Sequence, residues 1–165
     1  MGALLAKENI WYVGTQDPNL RVFDIIMHSD WGTSYNAYLV KGSEKTALFE
    51  TSKLEFFDEF LANVREVCDP ASIDYIVVDH TEPDHSGSLE KLLALAPNAT
   101  VLGSATALNF LKQIVNHEFA CRAVTEKDTV DLGGMTLHFL SVPFLHWPDS
   151  MYTYIPEAKA LFTCD

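Results

Sequence analysis

The chain has 165 residues, of which 48% are hydrophobic and 12% aromatic, enough apolar material for one domain with a hydrophobic core, which excludes a disordered protein. Eleven Lys and Arg against 23 Asp and Glu give a net charge of −12, which repels phosphate backbones and argues against a nucleic-acid partner. No apolar run approaches the roughly 20 residues that span a bilayer, and the N-terminal residues are too few for a secretory signal, so a cytoplasmic protein without membrane contact is predicted.

The first fifty residues predict β-strands, because they are rich in β-branched and aromatic residues and are broken by Gly14, Gly32 and Gly42. The predicted strands cover residues 10–13, 21–27, 35–41 and 46–50. We expect them to form an antiparallel meander.

Helical patterns begin after residue 50. Ser52 and Glu55 have the spacing of a capping box, and apolar residues then recur at helical spacing to about Val67. Two more helices are predicted, one from Leu89 to Pro97 and one over residues 104–115. The residues of the last helix that should face inward are Leu108, Leu111, Ile114 and Val115.

The remaining strands alternate with these helices and then follow one another. They are predicted at residues 75–78, 100–103, 121–124, 129–132, 135–142, 151–154 and 160–163. The 75–78 strand is almost entirely apolar, which is typical of a strand buried on both faces. This order predicts a single α/β (α+β) domain, a mixed sheet with helices packed outside.

Three cysteines, Cys68, Cys121 and Cys164, lie far apart in the chain. Their odd number and wide spacing favour reduced thiols over a disulfide framework or a thiolate metal site.

A dense set of possible metal ligands follows the buried strand. Residues 80–85 read His-Thr-Glu-Pro-Asp-His. Pro83 favours an extended backbone at Glu82, so the side chains of His80 and Glu82 should project the same way and can share a metal. Asp84 and His85 follow where the chain turns into a helix and can reach a second metal. A solvated loop with a helix cap is the structural alternative.

Two later residues occupy similar places. His146 and Asp165 each follow a predicted strand, and ligands in sheets flanked by helices gather at the ends of strands. Taken alone, His146 could be a structural histidine, and Asp165 could be a solvated carboxylate. Asp149 is open between a turn carboxylate and a partner that orients a histidine. Trp147 is expected to pack beside His146 and shield the pocket.

The order of these motifs resembles the metallo-β-lactamase-like domain of flavodiiron proteins, also called A-type flavoproteins. The motifs are His-x-Glu-x-Asp-His, Leu-His-Trp-Pro-Asp-Ser and Phe-Thr-Cys-Asp, and the resemblance covers essentially the whole chain. It implies an αββα sandwich. Because the chain stops at Asp165, directly after a strand, we expect residues 1–165 to lack the C-terminal part of this domain and the flavodoxin domain that follows it in the family.

The resemblance also implies a ligand set for two irons. It implies that His80, Glu82 and His146 hold one iron, that Asp84 and His85 hold the other, and that Asp165 bridges them. The family's last histidine ligand has no counterpart within residues 1–165. Zinc hydrolases of the same superfamily carry a histidine in place of Glu82, and a carboxylate there suits iron better than zinc.

The resemblance implies a function as well: an iron enzyme of anaerobic cells that reduces dioxygen to water or nitric oxide to nitrous oxide. Its electrons would come from FMN in a flavodoxin domain, fed by a rubredoxin-like carrier and arranged in a head-to-tail homodimer. No flavin or dinucleotide fingerprint occurs in the sequence, so this chain is not expected to bind FMN. Two alternatives stay open, a zinc-dependent hydrolase of the same fold and a non-catalytic diiron sensor or fragment.

Overall fold

Short strands dominate the computed structural model, which describes residues 2–23 and 25–165. The strands are β1 (Leu4–Lys7), β2 (Ile10–Tyr12), β3 (Thr15–Asp17), β4 (Val22–Phe23), β5 (Met27–His28), β6 (Thr33–Tyr35), β7 (Tyr38–Lys41), β8 (Thr46–Phe49), β9 (Tyr75–Val77), β10 (Thr100–Gly103), β11 (Cys121–Ala123), β12 (Thr129–Asp131), β13 (Thr136–Ser141), β14 (Met151–Ile155) and β15 (Ala160–Phe162). The helices are α1 (Phe57–Val67), α2 (Pro83–Ser86), α3 (Leu89–Leu93) and α4 (Ala105–Ile114).

The larger sheet is mixed, as predicted, and runs in the order β1-β2-β7-β8-β9-β10-β11. The strands from β1 to β8 pair antiparallel, whereas β8, β9, β10 and β11 pair parallel. Parallel strands end at the same edge of a sheet, so the segments that follow β8, β9 and β10 meet there.

A second sheet, β12-β13-β14-β15, is antiparallel throughout and packs on the first. Side chains of both sheets, among them Phe49 and Leu102 from the first and Phe139 and Ile155 from the second, form one buried cluster. Another cluster joins the opposite face of the first sheet to α1, α3 and α4. The chain is therefore a sandwich of two sheets with helices outside, and its fold class is confirmed.

The outer face of the second sheet is uncovered within the part of the chain that the structure describes. No described helix packs there, and Leu140 and Leu161 are 41% and 50% exposed. None of the described helices is long and apolar enough to cross a membrane.

Several predictions for the N-terminal half were wrong in detail. The strand predicted at 21–27 is a hairpin of β4 and β5, turned at Ile25, where φ is positive; Asp24, within that prediction, lies outside the described residues. The strand predicted at 35–41 is interrupted, because β6 pairs with β3 in a separate ribbon before β7 joins the main sheet. Neither β1 nor β3 was predicted.

The predicted helices also need correction. Ser52 does not cap α1, because its hydroxyl donates to Lys53 O or pairs with Ser88 Oγ, and a 3-10 turn precedes the helix. The predicted loop after Glu82 contains α2, and α3 ends at Leu93 rather than near Pro97. Ser104 caps α4 by accepting from Ala107 N–H, but Ile114 is 48% exposed instead of inward.

Candidate metal centre

The segment of residues 80–85 leaves the centre of the first sheet at the end of β9. Glu82 has φ −57° and ψ 148°, the extended conformation that the following proline favours. The chain then turns into α2, where Ser86 Oγ donates to Thr81 O at 2.7 Å and to Glu82 O at 3.2 Å. These bonds fix the turn, so that successive side chains point toward the same edge of the sheet.

Three of the predicted site residues form what we call the first group: His80, Glu82 and His146. Glu82 Oε2 lies 3.2 Å from His80 Nε2 and 3.2 Å from His146 Nε2. One atom from each residue lies within 4.8 Å of the others, a spacing that could hold a metal ion. His80 is fully buried, whereas a third of the His146 side chain is exposed.

The other three residues form the second group: Asp84, His85 and Asp165. His85 Nε2 lies 3.6 Å from Asp84 Oδ2 and 4.0 Å from Asp165 Oδ2. Their ligand atoms also lie within 4.8 Å of one another. Asp165 faces both groups, because its Oδ2 is 3.7 Å from His146 Nε2. The structure thus brings together all six residues that the sequence singled out.

The chemistry of the second group fits a cation. Asp84 Oδ1 and both ring nitrogens of His85 are buried and have no hydrogen-bond partner among the described residues. Buried polar atoms without partners are rare and costly. A divalent cation held by carboxylate oxygens and imidazole nitrogens satisfies such atoms, and this mixed donor set suits iron as well as zinc or manganese.

His80 has a buried carboxylate behind it. Asp149 Oδ2 lies 3.2 Å from His80 Nδ1 and accepts from the N–H and the hydroxyl of Thr81, each at 2.8 Å. Burial alone would raise the pKa of Asp149, but these hydrogen bonds lower it below its ordinary value. Asp149 therefore orients His80, and the choice that the sequence left open is decided in favour of an orienting partner.

His85 has a comparable neighbour, Glu50, which sequence reasoning treated only as the end of a strand. Glu50 Oε1 accepts from Asp79 N–H at 2.6 Å, and Glu50 Oε2 lies 3.5 Å from His85 Nδ1. Asp79 was also missed; its Oδ1 accepts from Thr153 Oγ1 at 2.9 Å, which links the two sheets. An acidic residue that directly follows an apolar strand was the available signal for both.

The pKa values of these groups depend on one another. Burial raises the pKa of Glu50, and burial together with the charge of Glu50 raises the pKa of Asp79 well above its ordinary value. For His85, burial lowers the pKa, but the carboxylates of Glu50, Asp84 and Asp165 outweigh it and raise the pKa to about 9. The neighbouring carboxylates therefore favour a positive charge at His85.

The backbone around both groups adopts an uncommon conformation. Glu50, Phe144, His146 and Cys164 have φ values of 58°, 65°, 134° and 50°. Residues other than glycine rarely adopt positive φ, and such positions are often found at functional sites. Here they occur beside or within the two groups.

The surroundings of the two groups differ. Trp147 packs against His80 edge to face, with ring centroids 5.0 Å apart, and its ring lies 6.2 Å from that of His146. This packing covers the first group, as expected for Trp147. The second group instead borders a cavity of about 580 Å³ whose apolar wall includes Tyr38, Phe49 and Phe162.

Known proteins resemble this chain in sequence. The family model described as "ODP family beta lactamase" matches residues 33–165. The chain is 51% identical to the flavo-diiron protein FprA2 of Clostridium acetobutylicum, with the match covering all of this chain and 42% of that protein.

Solved structures give the same result. The flavodiiron protein of Giardia intestinalis superimposes with a TM-score of 0.93 at 34% identity, covering 99% of this chain and 40% of that one. Rubredoxin oxygen:oxidoreductase from the anaerobe Desulfovibrio gigas gives a TM-score of 0.91 at 35% identity, covering 96% and 40%. The chain spans about two fifths of the length of these relatives.

Proposed function

We propose a function from the premise that this chain belongs to the flavodiiron protein family and is built on the metallo-β-lactamase-like domain of that family. In this proposal the six residues of the two groups hold two irons. The protein reduces dioxygen to water, nitric oxide to nitrous oxide, or both, in the reducing cytoplasm of an anaerobic cell. Its three cysteines are free thiols, which suits that compartment.

The position of Glu82 carries this proposal. Its carboxylate oxygen lies 3.2 Å from the Nε2 atoms of both His80 and His146, at the centre of the first group. A carboxylate there makes the donor set harder and more anionic than the histidine of zinc hydrolases. The first group is thus better suited to iron than to zinc.

The charges of the two groups also suit a redox pair of irons. The carboxylates of Glu82, Asp84 and Asp165 balance three of the four positive charges of two ferrous ions. When bound, the pair supplies two electrons on becoming diferric, enough to convert two nitric oxide molecules and two protons into nitrous oxide and water. Dioxygen needs four electrons and four protons to give two waters, so a further donor must deliver the rest.

Residues of this chain orient the proposed ligands and shield them from solvent. Asp149 and Thr81 hold His80 in place, and Trp147 covers its ring. The apolar side chains of Phe49 and Phe162, stacked with ring centroids 4.0 Å apart, line the cavity beside the second group. Such a wall disfavours ordered water and admits small, weakly polar gases.

The donor belongs to the same proposal. We assign the missing electrons to FMN on a flavodoxin domain, brought beside the irons in a head-to-tail dimer and reduced by a rubredoxin-like protein. The name of the Desulfovibrio gigas relative includes rubredoxin, which supports this assignment. Residues 1–165 then form the metal-binding part of a larger assembly.

The test begins with metal content. The natural full-length protein, purified without oxygen, is expected to contain about two irons per chain and to consume nitric oxide or dioxygen when a reductant is added. Uptake of zinc in place of iron together with hydrolysis of thioesters would show a zinc hydrolase. Gas binding without turnover would show a sensor.

Glu82→His sharpens this test. The substitution creates the donor set of the zinc enzymes, so we expect the zinc-to-iron ratio of protein loaded from equal amounts of both metals to rise about tenfold or more. Glu126→His, on an exposed turn, is the matched control and should leave the ratio unchanged. If Glu82→His takes up iron as the natural protein does, the argument from Glu82 fails.

A further inference from the structure

Glu50 is a buried carboxylate to which the proposed reaction assigns no part. It directly follows β8, is 4% exposed, and has a left-handed backbone with φ 58°. A non-glycine residue in this region costs on the order of 1–3 kcal/mol and persists only where the surroundings demand it. Its two oxygens have different neighbours, and this difference suggests why the conformation is kept.

One oxygen of Glu50 is committed to the backbone. Oε1 accepts from the N–H of Asp79, which precedes His80, at 2.6 Å. Because a backbone N–H can only donate, this oxygen must remain an acceptor in the folded protein. The bond joins the end of β8 to the start of the segment that carries four of the six site residues.

The other oxygen of Glu50 faces His85. Oε2 lies 3.5 Å from His85 Nδ1, a long contact, and neither atom has a hydrogen-bond partner elsewhere in the described residues. On the opposite side of the ring, His85 Nε2 faces Asp84 and Asp165. A proton on Nδ1, directed at Glu50, therefore leaves the lone pair of Nε2 directed at the second group.

Thr51, which follows Glu50, binds the main chain of the same histidine. The N–H and the hydroxyl of Thr51 both donate to His85 O at 2.7 Å. Glu50 and Thr51 thus restrain the ring and the backbone of His85 together. The unusual φ of Glu50 is consistent with this arrangement, because two adjacent residues serve one histidine.

We propose that Glu50 is a positioning residue of the second group, which selects the Nδ1-protonated tautomer of His85 and aims Nε2 at a bound metal ion. The inference rests on the ligand role that the proposed function gives to His85. It goes further by assigning each group its own buried carboxylate, Asp149 behind His80 and Glu50 behind His85. Glu50 itself touches neither substrate nor metal in this role.

Glu50→Gln tests the tautomer directly because it keeps the shape of the side chain. The amide oxygen must face the Asp79 N–H, so the amide NH₂ faces His85 Nδ1 and can only donate. The proton of His85 then moves to Nε2, which blocks metal binding there. In anaerobic titrations of the natural full-length protein with Co²⁺, followed by absorption, we expect the affinity of the second position to fall about 10–100-fold. The first position should keep its affinity.

Two further variants show whether Glu50 acts through His85. Glu126→Gln is the matched control and should bind two Co²⁺ ions as the natural protein does. His85→Asn should weaken the second position, and adding Glu50→Gln to it should cause no further loss. Natural affinity at both positions in Glu50→Gln, or a further loss in the double variant, would overturn the proposal. So would failure of the natural protein to bind a second ion.

A measurement on the natural protein guards against a variant that does not fold. In the Co²⁺-loaded protein, proton NMR should show an exchangeable ring N–H resonance that is shifted by the metal, exchanges slowly with solvent and is absent in His85→Asn. Absence of such a resonance from His85 would overturn the proposal. All these readouts are of metal binding, so a protein that binds two ions but reduces neither gas would refute the proposed function and leave the role of Glu50 standing.

Discussion

The two groups of the candidate metal centre use similar side chains but are supported in different ways. In the first group, His80 and His146 share a contact with Glu82, and His80 is anchored by Asp149. In the second group, Glu50 Oε2 makes only a long contact of 3.5 Å with His85 Nδ1, and neither ring nitrogen of His85 has a hydrogen-bond partner among the described residues. The first group lies under Trp147, whereas the second borders the 580 Å³ cavity, where Asp165 is 46% exposed at its side chain.

This difference shows how one segment, residues 80–85, can supply side chains to two adjacent groups without making the groups equivalent. Side chains that are already hydrogen-bonded lose little freedom when a metal binds, so the first group is preorganised. The second group has buried polar atoms without hydrogen-bond partners among the described residues, including Asp84 Oδ1 and His85 Nε2, and a bound cation would satisfy them. We therefore expect the first position to fill at lower metal concentration than the second.

Asp165→Asn tests whether the two groups bind metal independently. Among the substitutions in this comparison, we expect it to have the largest effect. Asp165 Oδ2 lies within 4.0 Å of a histidine from each group, and the substitution removes its negative charge while keeping its shape. If Asp165 serves both metals, both affinities should fall by more than the roughly 100-fold that loss of an outer partner can cause.

Calorimetric titration with Fe²⁺ under anaerobic conditions measures both affinities. Asp131→Asn, an exposed strand residue, is the control. Loss confined to the second position would mean that Asp165 belongs to that group alone and does not bridge.

Asp149→Asn should have a smaller effect than Asp165→Asn, and it should lower the metal affinity mainly of the first group. The carboxylate that accepts from Thr81 and faces His80 Nδ1 becomes an amide, so the orientation of His80 is less well fixed. We expect the first position to lose about 10–100-fold in Fe²⁺ affinity and the second to change little. Equal losses at both positions would show that the groups are not supported independently.

Thr153→Val should have the smallest effect and should act on stability rather than on the difference between the groups. Thr153 is fully buried and donates from β14 to Asp79 beneath the centre. Valine has the same shape, so the change leaves the Asp79 carboxyl without this bond and should lower the free energy of unfolding by about 1–3 kcal/mol.

Denaturant unfolding of the metal-free protein gives this free energy. Thr136→Val, on the exposed side of neighbouring β13, where the hydroxyl meets Glu157, is the matched control and should change it by less than about 0.5 kcal/mol. A loss in Thr153→Val no larger than in this control would mean that the bond to Asp79 contributes little.

The parts of the centre that could be predicted from the sequence are local. Four of the six site residues lie within 80–85, and the apolar strand before them and the proline within them fix their direction. His146 and Asp165 were recognisable because each follows a strand and completes a family pattern. Their contacts with the first four residues are tertiary, and spacing alone could not have given them.

What the sequence could not provide depends on pairing between strands. Glu50 reaches His85 because β8 and β9 are parallel neighbours, a fact that no residue near Glu50 reveals. Ser52 had a capping pattern, but its hydroxyl is engaged by Lys53 and Ser88 instead. Glu50 and Ser52 thus each contact a residue distant in sequence, His85 and Ser88 respectively, and local patterns carry no information about such partners.

The six site residues lie far apart in the sequence, and the candidate ligands are therefore synthesised at different times. His146 and Asp165 follow His85 by 61 and 80 positions, and a ribosome adds about 5–20 residues per second. The segment with two imidazoles and two carboxylates is therefore synthesised about 4–16 s before Asp165. With the ligand set that we propose, a cation captured in that interval would have only part of its ligands, so we expect correct loading to wait until β12 to β15 have been translated and have folded against the first sheet.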